Sequence, residues 1–348
     1  MKFTLIRSVA AISLALAAAA PASAQQTKVL FNSFIARGHF FNQEIVLPWL
    51  EEVSKATQGR VVFEVPPTSL AAPQAQYEGV VKGVFDAAYV NNSWIQHAVK
   101  LPIVAQLPYT VVSAEANSIA LARTYDKYFA KVNEYKDVQV FGFYVGVGGD
   151  IVSAKNPIQA AADLKGIKTY SLPGPTVEIL TAAGAAVVAA PAVRAYELIS
   201  GGTVDAFAGI SSFDFEQFKS MQYGKHVVRV PGGTTAPVFS FIMNKMKWES
   251  ISPADRDTIL RMAREPLAKR VGYIDRSVRE SDARLASAGV KVAAPSPAFM
   301  AELQRLGQPV IDAWIKEANA LGVDGKAALE YYKSEAAAVA KSLPTASK

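Results

Sequence analysis

The segment KGVFDAAYV, beginning at Lys82, returns in the second half of the chain as GGTVDAFAG, beginning at Gly201. Each copy ends a helical stretch on glycine, steps to an aspartate (Asp86, Asp205) and enters a short apolar run. Glycine readily takes the left-handed conformation past a helix end, and an apolar run bounded by turn signals reads as a buried strand. Used twice, this joint constrains the chain to two α/β units, each passing from a helix into a sheet. We read Asp86 and Asp205 as turn and helix-end residues rather than ligands.

The surrounding pattern fills in both units. Val29 to Phe34 reads as a buried strand, and Phe41, Ile45, Trp49 and Val53 then recur every fourth residue on one helical face. Gly59 stops that helix and Val61 to Val65 resumes strand character, which makes a β-α-β unit of a parallel sheet. A helix over 73–82 follows, with Tyr77, Val80, Val81 and Val84 inward, and then a strand over 85–90. The second unit reads as strand 166–171, helix 175–183, strand 187–189, helix 193–200 and a strand ending at Gly209. Ser252-Pro253-Ala254-Asp255 carries the serine cap, first-turn proline and acid of a helix start, and the stretch to about Ala288 reads as one long helix. A helix pair over about 297–321 and 326–341 closes the chain.

The ends and the composition bound the compartment. Lys2 and Arg7 precede an apolar stretch from Val9 to Ala20, and Ala22-Ser23-Ala24 supplies a small-x-small cleavage pattern. Residues 1–24 therefore read as a signal peptide, the mature chain starts at Gln25, and the protein belongs in a bacterial periplasm. With no cysteine in the chain, disulfides, thiolate metal sites and thiol nucleophiles are excluded. The net charge of +6 falls to +4 without Lys2 and Arg7, and like charges do not form blocks. That leaves no footprint for nucleic acid. A mature chain of about 320 residues, half of them apolar, is long enough to split into two domains.

Catalytic chemistry finds little support. His39, His97 and His226 are isolated, without ligand-type neighbours at helical spacing, and read as satisfied surface or core residues. The glycines of GVGGD, from Gly146, lack the Lys-Ser/Thr of a phosphate loop and continue into a strand. With PGG, from Pro231, they read as turns at a domain boundary that can serve as hinges. An exported two-lobed α/β protein without a reactive constellation suits a solute receptor that closes on its ligand.

Five separated strings carry a specific likeness. ADLKGIKTYSLPGP (162–175) with PAVRAYELISGGTVDAF (191–207), LPWLEEVSKATQGRVVFEV, EGVVKGVFDAAYV and NKMKWESISPADRDTI together resemble the DctP-type substrate-binding proteins of TRAP transporters, the tripartite ATP-independent periplasmic systems. The resemblance extends over nearly the whole mature chain. It implies a two-lobed, type II-like periplasmic binding fold with a hinge and a long helix bracing both lobes. Residues 25–147 with about 233–270 would form lobe I, residues 148–232 with about 290–345 lobe II, and about 253–288 the brace. It also implies a non-enzymatic, monomeric receptor without cofactor or metal, which hands a small solute to two membrane permease subunits or presents it to a sensor.

The departures from the family bear on the ligand. The arginine that such proteins place in the strand after DLKG to grip a carboxylate is replaced by Tyr170, a second arginine by Asp150, and an asparagine by Gly209. If Asp150 faces the cleft without an arginine beside it, it calls for a cationic partner. The aromatic residues Tyr170, Trp94, Phe207 and Phe213 would then wall in a small amine. A neutral polar ligand held by Asp150, Asn91 and Asn92 fits the same substitutions. Alternatively, Arg37, Lys168 or Arg194 anchors an organic acid, and Lys168 shares the strand face of Tyr170.

Overall fold

The computed structural model describes residues 26–343, so the signal peptide expected at 1–24 lies outside the described residues. The first half of the chain forms β1 (Thr27–Asn32), a π-helical turn (Phe41–Val46) continuous with α1 (Leu47–Ala56), β2 (Val61–Glu64), α2 (Gln76–Val81), β3 (Ala87–Asn91), α3 (Ala114–Thr124) and β4 (Val138–Val145). Next come β5 (Ile151–Ser153), β6 (Lys168–Ser171), α4 (Pro175–Ala182), β7 (Ala186–Ala189), α5 (Ala195–Ser200), β8 (Ala206–Ala208), α6 (Ser212–Gln217) and β9 (His226–Val228). The chain finishes with β10 (Val238–Asn244), α7 (Lys245–Ser250), α8 (Pro253–Met262), α9 (Glu265–Ser287), β11 (Lys291–Ala293), α10 (Pro297–Ala320) and α11 (Gly325–Ser342).

Two sheets result, one of five strands in the order β2-β1-β3-β10-β4 and one of six in the order β11-β9-β5-β8-β6-β7. The repeated joints sit at equivalent places in them. Gly83 and Gly202 both have φ of +68°. The N–H of Asp86 donates to Leu30 O at 2.9 Å, and that of Asp205 to Lys168 O at 2.7 Å. Each aspartate thus marks where the strand leaving a helix meets its parallel neighbour, β3 on β1 and β8 on β6. Both carboxylates pair with lysines, Asp86 with Lys247 at 3.2 Å and Asp205 with Lys155 at 2.7 Å.

The parallel pattern is incomplete in each sheet. β10, buried along all seven residues, inserts antiparallel between β3 and β4, and β5 runs antiparallel to β8 and β9. The four-residue periodicity holds: Phe41, Ile45, Trp49 and Val53 are all buried. Trp49 stacks on Phe141 at 6.0 Å and meets Phe241 edge-on at 5.5 Å, which fixes α1 to the first sheet. Val84, expected inward, is 57% exposed because the chain has already turned at Gly83.

The single long helix expected over 253–288 is two helices. Pro266, which that reading passed over, stands at the start of α9, where its missing N–H is tolerated only in a first turn. Arg264, with φ −91° and ψ −117°, makes the break. The freed carbonyl of Met262 accepts the indole N–H of Trp49 at 2.8 Å, and Gly142 of β4 leaves room for Ala263, which a Cβ there would meet at 3.1 Å. The brace is therefore α9 alone, which touches α3 of the first lobe and α6 and β11 of the second. Residues 290–345 divide as well: Phe299 and Leu303 of α10 pack with Leu164 and Leu180 of the second lobe. Farther along α10, Val310 and Trp314 enter the core of the first lobe. α11 lies on α3, where Asn117 Nδ2 donates to Tyr332 Oη at 2.6 Å.

The lobes are joined where 146–149 crosses 233–237. Gly146 N donates to Pro237 O (2.8 Å), Gly149 N to Thr235 O (2.8 Å) and Thr234 N to Gly149 O (2.9 Å). The approach requires glycine: a Cβ on Gly148 would lie 2.8 Å from the Cα of Gly233, whose own φ is +73°.

Candidate functional site

A cleft opens between the two sheets at the ends of β1, β3 and β4. In open α/β folds, ligands bind beyond the carboxyl ends of parallel strands. The first lobe contributes Phe34, Ile35, His39, Phe40, Phe41, Asn91, Trp94, Tyr144, Pro237 and Phe239; the second contributes Leu172, Ala192, Ile210, Asp214 and Phe218. Together the walls enclose a small cavity of about 50 Å³, lined mostly by apolar side chains.

Local hydrogen bonds hold the walls in place. Buried Asn42 donates to Ile35 O and Ala36 O, both at 2.9 Å, and Ser33 Oγ bonds Asn42 Oδ1 (3.1 Å) and lies 2.8 Å from Tyr89 Oη. The loop after β1 is thereby clamped with Phe34, His39 and Phe40 presented. Asn91 Oδ1 accepts Ser93 N at 2.9 Å, the turn that brings Trp94 beside Phe34 at 5.1 Å. Two aromatic contacts cross between the lobes, His39 on Phe218 at 4.8 Å and Phe40 on Phe213 at 4.9 Å.

The cleft's polar atoms are few and mostly unsatisfied. Phe41 N donates to His39 Nδ1 at 3.2 Å, so the ring carries its proton on Nε2, and burial lowers the His39 pKa to about 4. Its Nε2 and the Nε1 of Trp94 are buried with no hydrogen-bond partner among the described residues. A buried donor without an acceptor is costly, and here two such donors belong to one cavity. His39, read from sequence as a satisfied residue, is not satisfied. On the opposite wall Asp214 caps α6: its Oδ2 accepts Ser211 Oγ at 2.7 Å and Ser211 N at 3.3 Å. Burial raises the Asp214 pKa to about 6, with the charge of Asp150 adding to the effect.

Of the residues singled out from sequence, Trp94 and Asn91 line the cleft, and Phe213 supports it through Phe40. Asp150 does not lack an arginine. It is fully buried at the hinge, with Arg229 Nε 2.7 Å from Oδ1 in an ion pair out of line for a hydrogen bond, and with Ser212 N donating to Oδ2 at 2.8 Å. Burial raises its pKa and Arg229 opposes the rise. The premise for a ligand cation at Asp150 therefore fails. Asn92 faces into the first lobe, donating to Tyr135 Oη (3.1 Å) and accepting Ser240 Oγ (3.0 Å). Phe207 packs on Phe215 at 4.4 Å in the second lobe's core.

Tyr170 is fully buried against Phe215, and its hydroxyl has no partner among the described residues. Gly209, with φ of +91°, is a close backbone crossing, since a Cβ on neighbouring Gly149 would fall 2.6 Å from its carbonyl carbon. The three cations proposed as anchors stay outside: Lys168 is exposed, Arg37 is exposed and donates to Val65 O at 3.0 Å, and exposed Arg194 pairs with Glu197 at 2.6 Å. Among the described residues, no lysine or arginine lines the cleft.

The sequence reading missed Phe34, His39, Phe40, Tyr144, Phe239 and Asp214. A signal existed for the first three, because FIARGHFF directly follows the carboxyl end of β1. Asp214 gave none: in SSFD it stands as an ordinary capping acid.

Residues 31–317 match the family model described as DctP, bacterial extracellular solute-binding protein, family 7. The chain is 42% identical over 326 residues to the outer membrane transporter protein TsaT of Comamonas testosteroni, covering 93% of this chain and 96% of that one. Among solved structures it is similar to a TRAP periplasmic solute-binding protein from Bordetella bronchiseptica with bound (R)- and (S)-mandelate, at 27% identity and a TM-score of 0.85, covering 90% of this chain and 99% of that one. A marine metagenome TRAP solute-binding protein specific for aromatic acid ligands, in complex with 3-hydroxybenzoate, is 26% identical with a TM-score of 0.79 over the same shares.

Proposed function

This chain belongs to the DctP family, the bacterial extracellular solute-binding proteins of family 7, and we propose that the solute it captures is an aromatic organic acid. The family is periplasmic, and its members are receptors rather than enzymes, working with membrane permease subunits of TRAP systems. In our reading the mature chain begins at Gln25 and acts in the periplasm as a monomer.

The observation that carries the ligand class is the pair of unpartnered buried N–H groups, His39 Nε2 and Trp94 Nε1, in a cavity walled by Phe34, Phe40, Phe41, Tyr144 and Phe239. Aromatic walls suit a ring. Two neutral N–H donors suit a carboxylate, since hydrogen bonds to the charged form stabilise it in a dry site. This grip replaces the guanidinium that the family would supply at Tyr170. The relatives that bind mandelate and 3-hydroxybenzoate are consistent with it.

Asp214 favours a second reading. It is a cleft carboxylate that forms no ion pair among the described residues, and an aromatic amine would provide one. Melting temperatures with benzoate, mandelate and phenylacetate, with benzylamine and phenethylamine, and with succinate decide between them, because a ligand that binds the folded state raises the melting temperature by mass action. The aromatic acids should stabilise the protein and succinate should not. Stabilisation by the amines alone would overturn the proposal and transfer the anchor to Asp214.

A further inference from the structure

We infer that Asn91 is the residue by which the cleft tells a carboxylate from the carboxamide of the same shape, through an N–H donor directed at the ligand. The inference rests on the reading of the cleft as an aromatic-acid site. Asn91 ends β3, is 1% exposed and lines the cavity. Successive residues of a strand face opposite ways, and Asn92 points into the first lobe, onto Tyr135 and Ser240. Asn91 therefore shares the face of Tyr89, which meets Phe34 at 5.0 Å and Phe41 at 5.3 Å. Across the sheet it stands in register with Phe239 of the cleft wall.

The amide can take only one orientation. Ser93 N is a donor and needs an acceptor, so the Asn91 atom 2.9 Å from it is Oδ1, and Nδ2 is the end left over. Nδ2 donates to no group among the described residues, although the side chain is buried. The same hydrogen bond closes the turn that carries Trp94, whose ring lies 5.1 Å from Phe34. One turn thus presents two unspent donors to the cavity, Asn91 Nδ2 at its start and Trp94 Nε1 at its end.

A carboxylate accepts N–H bonds at both oxygens, whereas a primary carboxamide offers one acceptor oxygen and an NH2 group in place of the other. Against Asn91 that NH2 meets a donor, and both are left unpaired in a dry site. Ser93 enforces the restriction: with Oδ1 held by the turn, the amide cannot flip to accept. A free asparagine would suit either ligand; this one is set for the acid.

The test is titration calorimetry of the mature protein with benzoate and benzamide. Benzoate should bind at least about ten-fold more tightly. Asn91→Asp keeps an oxygen for Ser93 N and the shape of the side chain, but turns an acceptor toward the ligand. At about pH 8, where that carboxyl is ionised, benzoate affinity should fall about a hundred-fold or more while benzamide affinity holds or rises. Asn91→Ser also caps the turn and lacks the donor without adding charge; benzoate should weaken about ten-fold and benzamide should not. This second variant decides the matter if the buried charge of the first unfolds the protein. Equal binding of the two ligands by the unmodified protein, or a benzoate affinity that Asn91→Ser leaves unchanged, overturns the inference. So does a parallel loss of both ligands in Asn91→Ser, which would place Asn91 in the scaffold. In each of these cases the unmodified protein still binds benzoate and the cleft reading stands; if it does not bind benzoate, both fall.

Discussion

The hinge and the cleft both meet the first turn of α6, at Ser212 and Asp214, and they treat polar groups differently. At the hinge the buried carboxylate has its counter-charge: Arg229 contacts Asp150 at 2.7 Å and donates to both oxygens of Asp282 at 3.0 and 2.7 Å and to Ser212 Oγ at 3.0 Å. Asp150 in turn caps Ser212 N, and Asp275 of α9 accepts from Ala114 N and Glu115 N. In the cleft, His39 Nε2 and Trp94 Nε1 are matched by nothing among the described residues. Buried polar groups that pair within the protein hold its shape, whereas those left unpaired in an apolar cavity await a partner from outside. The contrast separates Asp150, which sequence reasoning placed at the ligand, from Asp214, which it overlooked.

The largest effect should come from breaking the matched side. Arg229→Met leaves Asp150 buried without its counter-charge, and should lower unfolding free energy by about 2–4 kcal/mol, below the figure for a fully buried pair because Arg229 keeps partial exposure. Urea unfolding measures it. A loss of under half a kcal/mol would mean that Asp150 folds neutral and the hinge is not held by charge.

Removing an unmatched donor should act the other way round. Trp94→Phe and His39→Phe delete N–H groups that have no partner in the unliganded cleft, so thermal stability should hold or rise while affinity for benzoate falls about five- to ten-fold. A variant that loses stability and keeps affinity would place that N–H in the scaffold.

The smallest effect is in the pH profile, where two cleft groups oppose each other. His39, lowered to about 4, stays neutral in the fold while the unfolded chain binds a proton below its ordinary value near 6.5. It therefore contributes stability that rises as pH climbs from about 4 to 6.5. Asp214, raised to about 6, holds a proton in the fold that the unfolded chain has released above about 4. Its contribution is fully present below that value and falls as pH climbs to about 6. The two slopes nearly cancel in the intact protein. Asp214→Asn should unmask a melting temperature that rises over this window, and His39→Phe one that falls. Parallel profiles in the two variants would show that neither group titrates as its burial requires.

How much was legible follows from the range of the interactions involved. The repeated joints, the helix face of Phe41 to Val53 and the cap at Ser252 are written within a few residues, and each stands where the pattern places it. The break at Pro266 is equally local, because a proline interrupts a helix unless it stands in the first turn. β10 was harder, because VFSFIMN is an apolar run whose neighbours, β3 and β4, lie far away in sequence. The site was harder still. Whether Asp150 is free depends on Arg229, and whether His39 is satisfied depends on what surrounds a loop folded back by Asn42.

By itself the sequence determined two α/β units, their joints, the glycine turns at their boundary and the family to which the strings belong. These rest on backbone conformation and periodicity, which neighbouring residues set. Only the tertiary structure decided which carboxylate was spoken for and which donors were left over. Pairing is a property of distance in space, and the arginine that neutralises Asp150 stands just after β9, far from it along the chain.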